Sequence, residues 1–306
     1  MTDKNYNDKY PRVSVIVPVK DSEKTIEKLI AALLAQDYPA DHTQIIIVDN
    51  GSQDHSVEII KKYPVIFECE NKVASSYAAR NKGLSVADGE IIAFTDADCI
   101  PQRDWLSVGV RALDKEKADM AGGRVEFIFS ERKSAAEYFD SLNILRNDRF
   151  IHNKIGAVTA NLFVRTGLFG RIGSFPEVQS GGDIGWTGRA LDEGHSLIYV
   201  PEAIVYHPTR NFVEILKKGW RYGTGILLNL KKRSWWFLKG LYLINRLLIP
   251  VPAKVILKSF IAAKSYPEMR GRRLAIWGIS YLYQISLLAG LVSSVFRRDL
   301  KTSDKK

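Results

Sequence analysis

The chain is poor in cysteine, methionine and histidine, with 2 Cys, 3 Met and 5 His in 306 residues. Two thiols, Cys69 and Cys99, are too few for a disulfide scaffold or a cysteine-based zinc site, so no oxidising compartment is required. No apolar run occupies the first residues. Met1 to Arg12 is polar and of mixed charge, which gives no expectation of a secretion signal. Acidic residues are scarce in the last third: Tyr206 to Lys306 holds 20 Lys+Arg against 4 Asp+Glu, a net of +16, whereas Met1 to Val205 holds 24 against 30, a net of −6. The total of +10 therefore belongs to a tail and not to a uniformly basic surface. Its basic residues alternate with apolar runs and no recognition motif accompanies them, which counts against a nucleic-acid reader.

What is present is enough apolar sequence, 46% of the chain, to bury a large core. After a polar tail over residues 1–11, residues 12–223 alternate strands and helices. Val13-Ser-Val-Ile-Val17 is a β-branched run, and it precedes a helical stretch from about Glu23 to Gln36 with Ile26, Leu29, Ile30, Leu33 and Leu34 on one face and Ser22 as the expected N-cap. Ile45-Ile-Ile-Val48 stops at Asp49-Asn-Gly-Ser-Gln-Asp54, and Ile91-Ile-Ala-Phe94 stops at Thr95-Asp-Ala-Asp98. Fully apolar strands ending in polar loops predict a mostly parallel α/β sheet with helices on both faces. Ligands of such sheets sit at the carboxyl ends of the strands, where this chain collects its acidic and glycine-containing clusters.

Residues 224–306 read differently. Leu241 to Ala263 is apolar but interrupted by Arg246, Lys254, Lys258 and the Pro250/Pro252 pair, as in a broken or interfacial segment. Leu274 to Phe296 has 23 uncharged residues between Arg270-Gly-Arg-Arg273 and Arg297-Arg298. About 20 such residues suffice to cross a bilayer, and basic flanks with Trp277 and Tyr281 near one end are headgroup anchors. A basic, helical, membrane-associating region with a candidate transmembrane helix at 274–296 is expected; the competing reading is a buried helix hairpin.

Asp96 and Asp98 stand one residue apart at a strand end, and like charges that close need a counter-charge. A hard divalent cation supplies one, since Mg²⁺ or Mn²⁺ takes one or two carboxylates and completes its shell with phosphate oxygens and water.

The order Val13-Ser-Val-Ile-Val-Pro-Val-Lys20, Val48-Asp-Asn-Gly-Ser-Gln-Asp54, Arg80-Asn-Lys-Gly83 and Gly89-Glu-Ile-Ile-Ala-Phe-Thr-Asp-Ala-Asp98 resembles the family 2 glycosyltransferases. The resemblance continues through Gly181-Gly-Asp183 with Trp186 and Arg189, and through Tyr199-Val-Pro-Glu-Ala-Ile-Val-Tyr-His207, covering about Pro11 to Gly223. It implies the GT-A nucleotide-diphospho-sugar transferase fold, Rossmann-like, followed by the apolar and basic helical segment. The implied reaction is inverting transfer of a sugar from a nucleotide-diphosphate sugar, usually a UDP-sugar, to a hydroxyl acceptor such as a lipid-linked sugar or nascent cell-surface polysaccharide.

Carried over residue by residue, Pro18, Val19 and Lys20 would hold the nucleobase through their backbone and Asp49 would accept a hydrogen bond from it. Arg80 would approach the diphosphate, Asp96 the ribose or the metal, and Asp98 would be the direct ligand of Mn²⁺ or Mg²⁺. His207 is a candidate third metal ligand or acceptor contact. Asp183 is the candidate general base that takes the acceptor's proton. Lys217-Lys-Gly-Trp-Arg-Tyr-Gly223 would fold over the diphosphate with Arg221, while Lys218 and Tyr222 replace the Gln and Trp of polymerising relatives, which points to addition of one sugar. Asp21 stands where the family commonly has Asn, Asn50 where it has a second Asp, and Gly182 where it often has Glu. Arg124, Glu126 and Asn161 are expected near the acceptor. A nucleotidyltransferase on a related fold is disfavoured because Val17-Pro-Val-Lys-Asp-Ser22 holds no glycine; a non-catalytic nucleotide-sugar-binding scaffold is the other alternative. The expected location is the membrane, with the catalytic domain facing the cytoplasm.

Overall fold

The computed structural model describes residues 10–230 and 267–303. The expected interfacial segment 241–263, Trp235-Trp-Phe237 and most of the 1–11 tail lie outside the described residues. Eight strands, β1 Val13–Val19, β2 Thr43–Asp49, β3 Ile66–Cys69, β4 Ile91–Thr95, β5 Ile100–Pro101, β6 Met120–Ile128, β7 Asn161–Arg165 and β8 Leu197–Pro208, form one sheet in the order β3-β2-β1-β4-β7-β6-β8-β5. The first four pair in parallel, β7 runs antiparallel between β4 and β6, and β5 runs antiparallel to β8. The sheet is thus mostly parallel, as the apolar strand runs predict, with two reversals that no local pattern announces.

Among the described residues the α-helices are α1 Ile26–Leu34, α2 Ser56–Ile60, α3 Ser76–Leu84, α4 Trp105–Lys115, α5 Ala135–Asn143, α6 Asn147–His152, α7 Gly167–Ile172, α8 Gly182–Asp192, α9 Phe212–Leu230 and α10 Arg273–Ser303. Side chains alternate across β1, and both faces are dry. Val13, Val15 and Val17 pack with α1 and α4, whereas Ile16 packs with Ile46, Phe94 and the apolar residues of α3, α7 and α8. Burying one such Val or Ile contributes roughly 1.5–3 kcal/mol, which is what fixes the register of these short strands.

The first helix starts later than its sequence pattern predicts. Ser22 is not its cap: the Ser22 N–H donates to Ser56 Oγ at 2.7 Å, the Glu23 N–H to Asp54 Oδ2 at 2.9 Å, and the helix begins at Ile26. Tethering to the loop after β2 holds residues 22–25 in a turn. Asp21 next to it adopts φ 48°, a left-handed backbone that Asn and Asp tolerate better than most residues, and its carboxylate receives the Gln53 N–H at 2.7 Å.

Helix α5 carries a capping box, Ser134 with Glu137. Burial raises the Glu137 pKa, but N–H groups of Ser130 and Ser134 and the hydroxyls of Ser134 and Thr209 outweigh it and bring the group to about 2. Its contribution to stability is therefore present above the ordinary carboxylate range and is lost as pH falls toward that value. The boundary expected at residue 223 falls inside α9, which lies against α10. A Cβ on Gly223 would meet Leu287 O at 2.0 Å and one on Gly290 would meet Trp220 O at 2.1 Å, so the two backbones touch where only glycine fits. Gly223→Leu should separate this helix pair and lower the thermal midpoint by several degrees, with a new protease-sensitive site in α10; an unchanged melt and digestion pattern would refute the packing.

Candidate active site

A cleft of about 1140 Å³ lies at the carboxyl ends of β1 and β4, and Pro18, Lys20, Arg80, Asp96, Asp98, Asp183, His207 and Arg221 all line it. Of the residues expected to hold the nucleotide sugar, two lie apart. Val19 is buried in the core, and its carbonyl receives the Asn50 N–H at 2.8 Å. Asp49 turns its carboxylate to its own loop, accepting from Gly51 N at 3.0 Å and Ser52 N at 3.3 Å. Asn50 follows a clear rule. Its amide Nδ2 donates to Glu70 O at 2.8 Å and Val73 O at 2.9 Å, which an Asp carboxylate cannot do.

Arg80 reaches the cleft from α3, whose cap is Ser75 Oγ accepting from the Tyr77 N–H at 3.2 Å. It is buried and ion-paired with Asp96, and it lies over the Tyr77 ring at 5.4 Å. Its Nε has no partner. Asp96 is therefore neutralised by Arg80, while Asp98 stays the more open of the two carboxylates.

Asp98 is brought to His207 by the pairing of Ile100 and Pro101 on β5 with Tyr206 and Val205 on β8. Asp98 Oδ2 lies 3.3 Å from His207 Nε2. The carbonyl Pro208 O can only accept, so its contact with Nδ1 of the buried ring at 2.5 Å puts a proton on Nδ1, and a guanidinium donor beside Nε2 makes that nitrogen the acceptor. Arg210 Nη2 stands 3.0 Å from that nitrogen. Asp98, Cys99 and His207 form a group that can hold a metal ion. Burial, then the charges of Asp98 and Asp96, push the Cys99 thiol well above its ordinary range, so it stays protonated. The donors that remain, one carboxylate and one imidazole with open positions facing the cleft, fit a divalent cation that prefers oxygen and nitrogen.

Asp183 is buried in the first turn of α8, where the helix favours a carboxylate. Gly181, in a left-handed conformation, is the N-cap, and Asp183 is not. Oδ1 accepts from Tyr77 Oη at 2.9 Å and from Ile184 N at 2.9 Å; Oδ2 accepts from Thr159 N at 3.1 Å and Thr159 Oγ1 at 3.4 Å. Burial and then the Asp183 charge push the Tyr77 hydroxyl well above its usual range, so it remains a donor. A Cβ at Gly182 would stand 2.9 Å from Tyr77 Cδ2, which is why glycine replaces the larger residue common at this position. Tyr77 and Thr159 escaped the sequence reading. The signal for Tyr77 was its place three residues before Arg80 on one helix face; for Thr159 there was none.

Helix α9 closes the cleft with Lys218 and Arg221. Burial first, then repulsion by Arg210 and Arg221, brings Lys218 down to about 8, and burial with Arg210 lowers Arg221. Asn161, expected near the acceptor, is instead fully buried, accepting from Trp105 Nε1 and donating to Arg124 O and Ala203 O. Arg124 and Glu126 line a second pocket of about 170 Å³. Leu145, at φ 55°, is the wall shared by the two.

Residues 14–173 match the family described as Glycosyl transferase family 2. The chain is 40% identical over 221 residues to glycosyltransferase AglE of Haloferax volcanii, covering 70% of this chain and 73% of that protein. It spans about half or less of the length of several other curated relatives it matches. A mannosyltransferase of Pyrobaculum calidifontis solved with GDP-Man and Mn²⁺ aligns at TM-score 0.66 with 20% identity, over 94% of this chain and 88% of that one. Staphylococcus aureus TarS 1–349 with UDP aligns at 0.53 with 21% identity, over 94% and 92%. With that sheet, that cleft and these relatives, the chain belongs to glycosyl transferase family 2 and is a glycosyltransferase of GT-A fold.

Proposed function

We propose that the protein transfers a glycosyl group, with inversion, from a nucleotide-diphosphate sugar to a hydroxyl of a membrane-borne glycan or lipid-linked acceptor. The observation that carries the reading is that Asp183 and the Asp98–His207 pair face one cleft to which Arg80, Arg210, Lys218 and Arg221 also contribute. In the step itself the acceptor oxygen bonds to the anomeric carbon, the bond from that carbon to the diphosphate oxygen breaks, and the acceptor proton passes to Asp183. Of the four donors on Asp183, the Thr159 hydroxyl at 3.4 Å is the longest; its lone pair is the one an acceptor hydroxyl can take over. The other three hold the carboxylate in place. Arg80, Lys218 and Arg221 offset the charge that grows on the departing diphosphate. Asp98 and His207 would hold Mn²⁺ or Mg²⁺, which when bound neutralises phosphate oxygens as a Lewis acid. The two solved neighbours carry different nucleotides, GDP-Man and UDP, and the loop ends at Pro18 and Lys20 are the candidate contacts of the base.

Calorimetry with UDP-, GDP- and dTDP-sugars and Mn²⁺ should identify one donor. Asp183→Asn should then cut transfer by about 10²–10⁴-fold, the usual contribution of a general base, while leaving donor affinity within a few-fold; Asp98→Asn should lower both. Full transfer by either variant would remove these assignments.

Lys218 supplies a pH dependence. Burial and the neighbouring Arg210 and Arg221 bring it down to about 8, and an incoming diphosphate favours the charged form. Affinity for a nucleoside diphosphate should fall as pH rises above 8, and Lys218→Met should bind more weakly at pH 7 but lose that step. An unaltered pH profile in the variant would show that Lys218 does not meet the diphosphate.

The same α9 that closes the cleft adjoins a lipid-compatible surface. Arg273–Ser294 is long and apolar enough to cross a membrane. One face of it packs on the body through Ile276 and Tyr283, with Tyr283 5.3 Å from Phe139, while Leu274, Trp277, Tyr281, Leu282, Ile285 and Val292 are exposed. We read this as a helix lying at the membrane interface, with the +16 tail drawn to anionic lipid at about 1 kcal/mol per basic residue near the surface. The protein should co-float with vesicles containing anionic lipid and detach when Trp277 and Ile285 are both replaced by Glu. A wild-type chain that stays in the soluble fraction would exclude it.

A further inference from the structure

Asp140 is fully buried on α5, yet no step above uses it. It accepts the Arg210 N–H at 2.8 Å, and its two oxygens take Arg210 Nη1 at 3.2 and 3.4 Å. The guanidinium is anchored at one end and presents Nη2 to His207 Nε2 at the other. With the Nδ1 proton directed at Pro208 O, Nε2 and Asp98 Oδ2 are two lone-pair atoms 3.3 Å apart. Positive charge at its edge stabilises such a pair, and Arg210 provides it. A divalent cation held by Asp98 and His207 needs the same Nε2 lone pair, so guanidinium and cation cannot both have it.

We propose that Arg210 keeps the cation's place while the site is empty, and that it gives up Nε2 and donates Nη2 to the donor's diphosphate when the cation arrives. This rests on the metal–diphosphate reading above. Three features support the exchange. Arg210 lines the cleft beside Lys218 and Arg221, the two cations that the diphosphate would meet. Its Asp140 anchor uses Nη1 and the backbone N–H, leaving Nη2 free to change partner without loss of the buried ion pair. The planar fork can serve two partners at once, which a lysine ammonium on the same carboxylate cannot do in that geometry.

The exchange predicts effects of opposite sign on two ligands. Arg210→Lys keeps the charge on Asp140 but withdraws from Nε2. Arg210→Gln combined with Asp140→Asn removes the ion pair as a pair, avoiding an unpaired buried carboxylate. Both are compared with the wild type by calorimetry and Mn²⁺ electron paramagnetic resonance, after matching circular dichroism shows that they fold; if the double variant does not fold, Arg210→Lys decides. Mn²⁺ without nucleotide should bind about 10-fold tighter to the variants, the scale of one charge-assisted hydrogen bond, while UDP or GDP with saturating Mn²⁺ should bind several-fold weaker. Arg221→Gln, which removes a neighbouring cation without touching Nε2, should leave Mn²⁺ affinity within twofold. Unchanged or weaker Mn²⁺ binding in folded variants, or equal tightening by Arg221→Gln, overturns the exchange and leaves the metal site standing. A wild type that takes no Mn²⁺ even with UDP and GDP overturns both.

Discussion

Ile100 and Pro101 leave the Asp-rich loop and pair antiparallel with Val205 and Tyr206, and this two-residue bridge sets the distance between Asp98 and His207. Residues more than 100 positions apart in sequence meet there because β8 is long and bears a register shift in its pairing with β6 between Gly123 and Arg124. The first part of β8 continues the sheet, and the part beyond the shift carries His207 to the edge of the cleft. Without the bridge, Asp98 would be one more exposed acid in a loop.

The charges around the cleft are arranged so that each of three carboxylates has its own partner. Asp96 has Arg80, Asp140 has Arg210, and Asp183 has the hydroxyls and N–H groups of Tyr77, Thr159 and Ile184. Breaking one buried pair by removing one partner typically costs 3–5 kcal/mol, so these contacts serve stability as well as chemistry. Among the described residues Lys218 and Arg221 on α9 form no such ion pair, and burial together with crowding by Arg210 lowers the proton affinity of both. That excess of positive charge is what a diphosphate would relieve.

Stability and function meet again in the C-terminal helices. Phe139 and Asp140 are neighbours on α5: the first packs against Tyr283 of α10, the second holds Arg210. The apolar helix, the cleft and the histidine are thus mechanically continuous, through a helix whose capping box is itself tied to the 207–210 turn by Thr209 Oγ1 donating to Glu137 at 2.9 Å.

The local order of the chain was legible in its residues. Apolar runs ending in Asp-containing loops determined the parallel half of the sheet and the end at which the site lies, because burial on both faces requires continuous apolar strands. Pro18, Lys20, Arg80, Asp96, Asp98, Asp183 and Arg221, which the family resemblance picks out through short-range motifs, all line the one cleft. Charge asymmetry alone separated an acidic body from a basic tail. What a linear pattern cannot hold is a partner far away in sequence. Only the tertiary structure turned Asp49 toward its own loop, gave Asn50 two carbonyls to bind, set Tyr77 and Thr159 on Asp183, and placed Arg210 between Asp140 and His207. Such hydrogen bonds are decided by which strands and helices become neighbours, and that is a property of the sheet order and not of any segment.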